Sequence, residues 1–332
     1  MSKGKIKLEN IIGLLRENEG YLSGAEIAAR MAVTRTAVWK AISLLREEGY
    51  EIVSSPSKGY RLIRSPDLCV HELKGIISAA ANKIGRDLLF FDSVASTNTI
   101  AMDMASQGCP EGTVVVADSQ TAGKGRLGRT WISPPGKNVY LSIVLRPDIS
   151  PRDATAVTLL SAVACASAVR KTLGVPISIK WPNDLIIGHR KVGGILTEIK
   201  ADIDRISYAV VGIGMNVNMT KQDIPDEIKQ IASSLLIESD DHVSRTELAA
   251  SLISEYDRWY DLFLNGGKKV ILDEWIGMSS TIGNPVRVVT GNGAFEGIAD
   301  GIDDEGLLII RLTDGTFRKI SAGDVTMVRA KG

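Results

Sequence analysis

Residues 119–131 read Ser-Gln-Thr-Ala-Gly-Lys-Gly-Arg-Leu-Gly-Arg-Thr-Trp, with three cations, Lys124, Arg126 and Arg129, interleaved with Gly123, Gly125 and Gly128 and followed closely by Trp131. Glycines let backbone N–H groups approach a ligand closely, and cations held among them neutralise phosphate or carboxylate oxygens. The same glycines match the dinucleotide pattern G-x-G-x-x-G, but that reading needs a helix directly after them. Pro134-Pro135-Gly136 follows instead and cannot continue a helix, so a Rossmann site is rejected. An anion-binding loop remains, with a solvated basic turn as its bland alternative.

Three more clusters carry chemistry. Lys180-Trp-Pro-Asn183-Asp184 sets a cation, an amide and a carboxylate at a turn between strand-like runs, where they could hold a phosphate, a Mg²⁺ or an incoming amine. Read alone, it is equally a capped turn with a surface ion pair. Lys191-Val-Gly-Gly194-Ile-Leu196 opens a strand whose paired glycines permit close packing against a flat ligand. Gly212-Ile-Gly-Met-Asn216 leaves room in an apolar strand where side chains would clash. Trp181 reads as a core aromatic, and His71, His189 and His242 receive no role.

The elements that must position these groups fall into three blocks. In residues 1–64, apolar residues from Ile6 to Leu15 recur at helical spacing. Ser23 with Glu26 forms a capping box for a second helix. Thr34 caps a third, with Val38, Ala41, Ile42 and Leu45 on one face and Gly49 at its end. Two short strands around Pro56-Ser57-Lys58-Gly59 complete a winged helix-turn-helix, and Ser65-Pro66-Asp67 reads as a linker. Residues 68–280 alternate strands (88–91, 113–118, 139–145, 177–180, 185–187, 195–199, 208–217) with helices at 154–173 and 245–265, a mixed α/β body whose strand order is not readable. From 281 to 332, short strands separated by Gly-Asn-Gly, Asp-Asp-Glu-Gly and Asp-Gly predict a small C-terminal β-barrel. The fold class expected is therefore multidomain α+β.

Composition narrows the function classes. At 332 residues with 44% hydrophobic and 23% charged residues, the chain is ordinary globular material of two or three domains. Lys plus Arg and Asp plus Glu both number 39, which excludes a bulk polyelectrolyte binder. The balance is uneven, however: residues 1–64 carry 11 cations against 7 acids, a local +4 that suits a module meeting a polyanion. Cys69, Cys109 and Cys165 are too scattered for a disulfide framework or a zinc site and fit a reducing, cytoplasmic setting. No signal peptide is expected, and Ala154–Val169 reads as a buried helix rather than a membrane span.

Ser96-Thr97-Asn98, Gln120 with the 123–129 loop, Lys180–Asp184, Lys191 with Gly193-Gly194-Ile195-Leu196, and Gly212–Asn216 together resemble, in order and spacing, the biotin–protein ligase family. With the N-terminal winged helix, the chain is similar to the bifunctional form, which is ligase and biotin operon repressor at once. The resemblance runs from about Lys5 to Arg329. It implies a catalytic domain related to class II synthetase and lipoyl ligase folds and an SH3-like C-terminal barrel. It also implies activation of biotin by ATP and Mg²⁺ to biotinyl-5′-AMP, then transfer to a lysine of a biotin carboxyl-carrier protein. Biotinyl-AMP would double as corepressor in a ligand-promoted homodimer on operator DNA, with no membrane partner.

By the same resemblance, Arg126, Lys191 and Asp184 carry the chemistry, with Asp184 also the Mg²⁺ ligand. Ser96, Thr97, Asn98, Gln120, Gly123, Lys124, Gly125, Arg126, Lys191, Gly194, Leu196 and Gly212 hold biotin. Arg129, Trp131, Lys180, Asn183, Asn216 and Arg329 face the nucleotide. Ser23, Gly24, Thr34, Arg35, Thr36, Trp39, Lys40, Ser43 and Lys58 face DNA, with Arg61 also in the wing. The family loop often reads Gly-Arg-Gly-Arg-Arg-Gly-Arg. Lys124 here keeps a charge without the bidentate fork, and Leu127 loses one, so Arg126 and Lys191 are the preferred phosphate contacts. A lipoate–protein ligase-like enzyme and a non-catalytic biotin-sensing transcription factor are the competing readings.

Overall fold

Local capping signals start the helices of the N-terminal part. In the computed structural model, which describes residues 8–18, 20–80, 83–291 and 293–328, the chain forms two compact units, Met1–Ala81 and Asn82–Gly332. The first holds α1 (Leu8–Glu17), α2 (Gly24–Arg30), α3 (Arg35–Glu47), the wing strands β1 (Glu51–Ser55) and β2 (Gly59–Arg64), and α4 (Val70–Ala79). The Ser23 hydroxyl accepts from the Glu26 amide at 3.1 Å while the Glu26 carboxylate accepts from the Ser23 amide at 3.0 Å, so two otherwise unpaired donors at the start of α2 are satisfied. Thr34 Oγ1 caps α3 through the Ala37 amide at 3.2 Å. Ile11, Leu15, Ile27, Val38, Ile42 and Leu45 close the core of this unit.

The wing is fixed to the helices by reciprocal 2.8 Å backbone bonds between Leu22 and Tyr60. Gly59 makes that approach possible: its φ is +103°, and a Cβ there would lie 2.1 Å from the Leu22 carbonyl oxygen. Ser65-Pro66-Asp67 lies inside the same unit, because the chain continues into α4, which an Arg16–Glu72 ion pair of 2.5 Å ties to α1.

The second unit is built on a seven-stranded sheet. Its strands are β3 (Leu88–Val94), β4 (Val114–Gln120), β5 (Val139–Leu145), β6 (Ile177–Lys180), β7 (Asp184–Ile187), β8 (Arg190–Ala201) and β9 (Ile206–Met215), in the order β3-β4-β5-β9-β8-β7-β6. Only β3 and β4 pair in parallel, so the sheet is mixed. Helix α5 (Thr97–Ser106) sets Ala101 and Ala105 against Val115, Val144 and Val210. Helix α6 (Ala154–Leu173) covers the sheet elsewhere and packs in turn on α8 (Arg245–Gly266) and α9 (Lys268–Met278), with the short α7 (Leu235–Ser239) preceding them. By length and composition α6 could cross a membrane, yet twelve of its side chains are buried here, consistent with a core helix.

The C-terminal strands depart from expectation. β10 (Pro285–Thr290), β11 (Gly293–Ile302), β12 (Leu308–Arg311), β13 (Phe317–Ile320) and β14 (Asp324–Met327) form one antiparallel sheet in the order β13-β12-β11-β10-β14. The sheet is open: β13 pairs only with β12 and β14 only with β10, so the predicted SH3-like barrel does not close. Turn residues dictate each hairpin locally, whereas closure requires hydrogen bonds between the two edge strands. These edges are four residues each and lie on opposite sides of the sheet.

Candidate functional site

A cavity of about 500 Å³ opens at the ends of β4, β8 and β9. Its wall is assembled from sequence-distant pieces: the start of α5, the 124–132 loop, the β6–β7 turn, the glycine positions of β8 and β9, the 219–232 segment and the Gly323–Thr326 edge. Five cations (Lys124, Arg126, Arg129, Lys180, Lys191) face two carboxylates (Asp184, Asp324), so the site carries an excess of positive charge suited to polyanions.

The glycine loop is a small hairpin rather than a helix cap. The Gly125 amide donates to the Arg129 carbonyl at 2.7 Å and the Trp131 amide to the Gly123 carbonyl at 2.9 Å. Gly123 does not line the cavity; it lets the loop's base close, because a Cβ there would stand 2.4 Å from the Trp131 carbonyl oxygen. Leu127, at the tip, is 69% exposed with φ +55°. Lys124 Nζ donates to Thr99 Oγ1 at 3.1 Å, Arg126 to Asn183 Oδ1 at 3.1 Å, and Arg129 pairs with Asp324 on β14. Burial lowers the Arg126 guanidinium's pKa from its ordinary value; Asp184 and Asp324 oppose that shift and Arg129 adds to it. A cation so placed keeps its charge and gains by meeting an anion.

Lys191 and Asp184 face one another across β7 and β8, with Nζ 2.5 Å from Oδ1. The Lys191 ammonium also lies 5.3 Å from the centroid of the Trp131 ring. That indole lies over Gly194 and Gly214, which are register partners on β8 and β9; a Cβ on Gly214 would come within 2.5 Å of the indole nitrogen. The indole N–H is buried without a hydrogen-bond acceptor. Asn183 and Asn216 are committed to backbone carbonyls, of Ile195 at 2.6 Å and Ser233 at 2.9 Å.

The polar end is a connected network. Gln120 Oε1 accepts from the Thr97 amide (2.9 Å) and hydroxyl (3.2 Å), and its Nε2 donates to Ser133 Oγ at 3.0 Å. Asn98 donates to Glu198 Oε2 at 2.8 Å and to the Leu196 carbonyl at 3.2 Å. Ser96, Thr97 and Asn98 are all buried at the start of α5.

The cavity thus brings together Ser96, Thr97, Asn98, Gln120, Lys124, Gly125, Arg126, Arg129, Trp131, Lys180, Asn183, Asp184, Lys191, Gly194, Leu196, Gly212 and Asn216. Arg329 lies outside the described residues. Sequence reasoning missed Ser142 and Glu198, whose signal was available: each is a polar residue within a largely apolar strand. It also missed Asp324 and the Met219, Ile224 and Ile228 wall, which no local pattern marks. Among the described residues no group of three or more His, Cys, Asp or Glu is placed to hold a metal ion. A single carboxylate with substrate phosphates nevertheless suffices for Mg²⁺, and Asp184 is the cavity carboxylate not paired with Arg129.

In the first unit, Arg35, Thr36, Trp39 and Lys40 stand on the exposed face of α3, with Trp39 57% accessible. Ser43 is half-buried and donates to the Trp39 carbonyl within the helix, while Ser23 and Thr34 are committed to caps and Gly24 begins α2. Lys58 is exposed in the wing, its ammonium 5.9 Å from the Tyr21 ring, and the Arg61 guanidinium lies 5.2 Å from the same ring.

Comparisons with known proteins agree across the chain. Residues 90–216 match the biotin/lipoate A/B protein ligase family, 7–61 an HTH domain and 281–328 the biotin protein ligase C-terminal domain. The chain is 39% identical over 308 residues to the bifunctional ligase/repressor BirA of Bacillus subtilis, covering 92% of this chain and 94% of that protein. It is 30% identical to the bifunctional ligase/repressor BirA of Escherichia coli, covering 97% of each. The biotin protein ligase from Aquifex aeolicus, solved in complex with biotin and ATP, superposes with a TM-score of 0.63 at 27% identity, over 74% of this chain and all of that one.

Proposed function

The chain belongs to the BirA family of bifunctional biotin–protein ligases and repressors, and from that premise we propose how its residues divide the work. The protein activates biotin with ATP, transfers it to a carrier protein and acts as a biotin-responsive repressor. One observation carries the assignment of the site: the Ser-Thr-Asn-Gln network, the loop cations and the Lys191–Asp184 pair share a single cavity.

Biotin lies with its ureido ring on Ser96, Thr97, Asn98 and Gln120, between Gly194, Leu196 and Gly212. Its carboxylate points toward Lys191 and the 123–129 loop. ATP places its α-phosphate beside Arg126 and Lys191 and its adenine by Trp131, with Arg129, Lys180, Asn183 and Asn216 along the nucleotide. Arg329 belongs to the same nucleotide group. A carboxylate oxygen attacks the α-phosphorus, the bond to the β-phosphate oxygen breaks, and pyrophosphate leaves. Two anions must meet in this step, and the excess of fixed cations offsets their repulsion without reorganisation. In the second half-reaction the neutral lysine amine of the carrier attacks the acyl carbon and AMP departs with the bonding pair. Asp184 orients the incoming ammonium and takes its proton. Mg²⁺ held by Asp184 and the phosphates would neutralise the leaving pyrophosphate.

The α3 face and the wing bind operator DNA. Arg35, Thr36, Trp39, Lys40 and Ser43 enter the major groove, Lys58 and Arg61 contact phosphate, and Ser23, Gly24 and Thr34 approach the backbone. Biotinyl-AMP acts as corepressor by favouring a homodimer that spans two half-sites. The protein works in the cytoplasm and needs no membrane.

The deciding experiment incubates the full chain with biotin, ATP, Mg²⁺ and a biotin carrier domain. The acceptor gains one biotinyl group, and pyrophosphate exchange depends on biotin but not on lipoate. Exchange supported by lipoate instead, or an unmodified acceptor, would overturn the assignment.

A further inference from the structure

Glu198 lies beyond the cavity lining, yet it holds a residue that does line it. The relevant groups are Thr97 (4% exposed), Asn98 (3%) and Ser142 (0%), so their hydrogen bonds must close within the protein or on a ligand. The protons can be counted. The Thr97 hydroxyl donates to Gln120 Oε1. Both N–H groups of Asn98 are used, one on the Glu198 carboxylate and one on the Leu196 carbonyl. Ser142 has one proton and two acceptors in reach, Asn98 Oδ1 at 2.6 Å and Thr97 Oγ1 at 2.8 Å. When Ser142 gives its proton to Asn98 Oδ1, the shorter of the two contacts, the oxygen of Thr97, which lines the cavity, keeps a lone pair open.

The opposite orientation of the Asn98 amide would fill that lone pair internally. Its nitrogen would donate to Ser142, which would donate to Thr97. The amide oxygen would then face the Glu198 carboxylate and the Leu196 carbonyl, three acceptors together with no proton between them. Glu198 forbids this arrangement. Gly212 completes the device: Asn98 Oδ1 occupies the notch where a Cβ would stand 2.1 Å away.

We infer that Glu198 is a positioning residue for vitamin recognition: it keeps the Asn98 oxygen turned toward Ser142, so that the Ser142 proton goes to Asn98 and the Thr97 oxygen stays open to accept a ligand N–H. The inference rests on the biotin site proposed above. A cyclic urea offers that N–H; a dithiolane acid does not, and forgoes the bond.

Glu198→Gln tests this, because the isosteric amide can donate to a turned Asn98 oxygen and so lets Ser142 turn its proton onto Thr97. The KM and Kd for biotin should rise by ~10-fold, the cost of a lost hydrogen bond in a buried site. The KM for ATP and kcat at saturating biotin should move by less than about twofold, and Tm should hold or rise. Discrimination against biotin methylated on its ureido nitrogens should shrink in parallel. An unchanged biotin Kd, or a fall in Tm and kcat together, overturns the inference. Asn98→Ala separates the two levels. If it weakens biotin while Glu198→Gln does not, the inference alone fails. If neither variant affects biotin, the siting of the vitamin fails as well.

Discussion

At the scale of single residues, the site depends on cations held before any anion arrives. Arg126 is the clearest case, a half-buried guanidinium anchored by Asn183 and aimed into the cavity. Arg126→Ala should lower the single-turnover rate of adenylate formation by on the order of 10²-fold, or shorten adenylate lifetime comparably, since charge stabilisation in a water-poor site is worth that much. Tm should move little, because the loop adds little to the core. Wild-type rate and lifetime in this variant would refute its role. Gly212 gives a steric counterpart. Gly212→Ala drives a methyl into Asn98 and should raise the biotin KM by more than ~10-fold while leaving pyrophosphate leaving-group chemistry intact. A Km shift confined to ATP would contradict the ureido assignment.

At the scale of elements, capping decides how well α3, the helix proposed to meet DNA, is presented. Thr34→Ala removes the side-chain acceptor for the Ala37 amide and should cost about 1 kcal/mol of first-unit stability, read by denaturant melts. The exposed side chains of α3 make a separate prediction. Lys40→Ala should weaken binding to operator and non-operator duplexes alike and lower the salt slope by about one, whereas Trp39→Ala should cost more on the operator. Carrier biotinylation should be unchanged in both variants; loss of ligase activity would show that these residues serve another end. Elements also mark where local reasoning succeeded. The box at Ser23–Glu26, the cap at Thr34 and the spans of β5, β6 and α6 follow from signals within a few residues. Helices α4, α5 and α9 lie outside the helices the sequence predicts, although α5 presents Ser96, Thr97 and Asn98.

At the scale of the whole molecule, the second unit is stitched by side chains that bridge distant elements. Glu255 of α8 is buried, accepting from Lys171 of α6 at 3.0 Å and from Arg258 at 2.8 Å. Burial alone would raise its pKa, but those cationic donors outweigh it and the net shift is downward. A carboxyl whose folded pKa is depressed adds stability that is complete above its unfolded pKa. That contribution is lost as pH falls through the lower folded value. Glu255→Gln should therefore cost about 1–2 kcal/mol near neutrality and almost nothing in strong acid, flattening the acid limb of a stability-versus-pH curve. An unchanged limb would place the acid sensitivity elsewhere. Repression is also a whole-molecule property. Operator affinity should rise with biotin plus ATP, and independence from them would remove biotinyl-AMP as corepressor.

Read from the amino acids, the chemistry and its order along the chain were already legible. Glycines beside cations, Lys180 to Asp184 and Lys191 before paired glycines have meaning at short range, because spacing alone sets which groups can reach one ligand. Fold class followed for the winged helix and the α/β body for the same reason: caps and hydrophobic periods act over three to seven residues. Strand order, the Asp324 partner of Arg129 and the Glu198–Asn98–Ser142 network emerged only on folding. Each joins residues separated by tens to nearly two hundred positions, and no local preference encodes which pairs meet. The open C-terminal sheet is the sharpest instance. Its hairpins are written in turn residues, but whether two edge strands bond depends on how the whole sheet twists and packs.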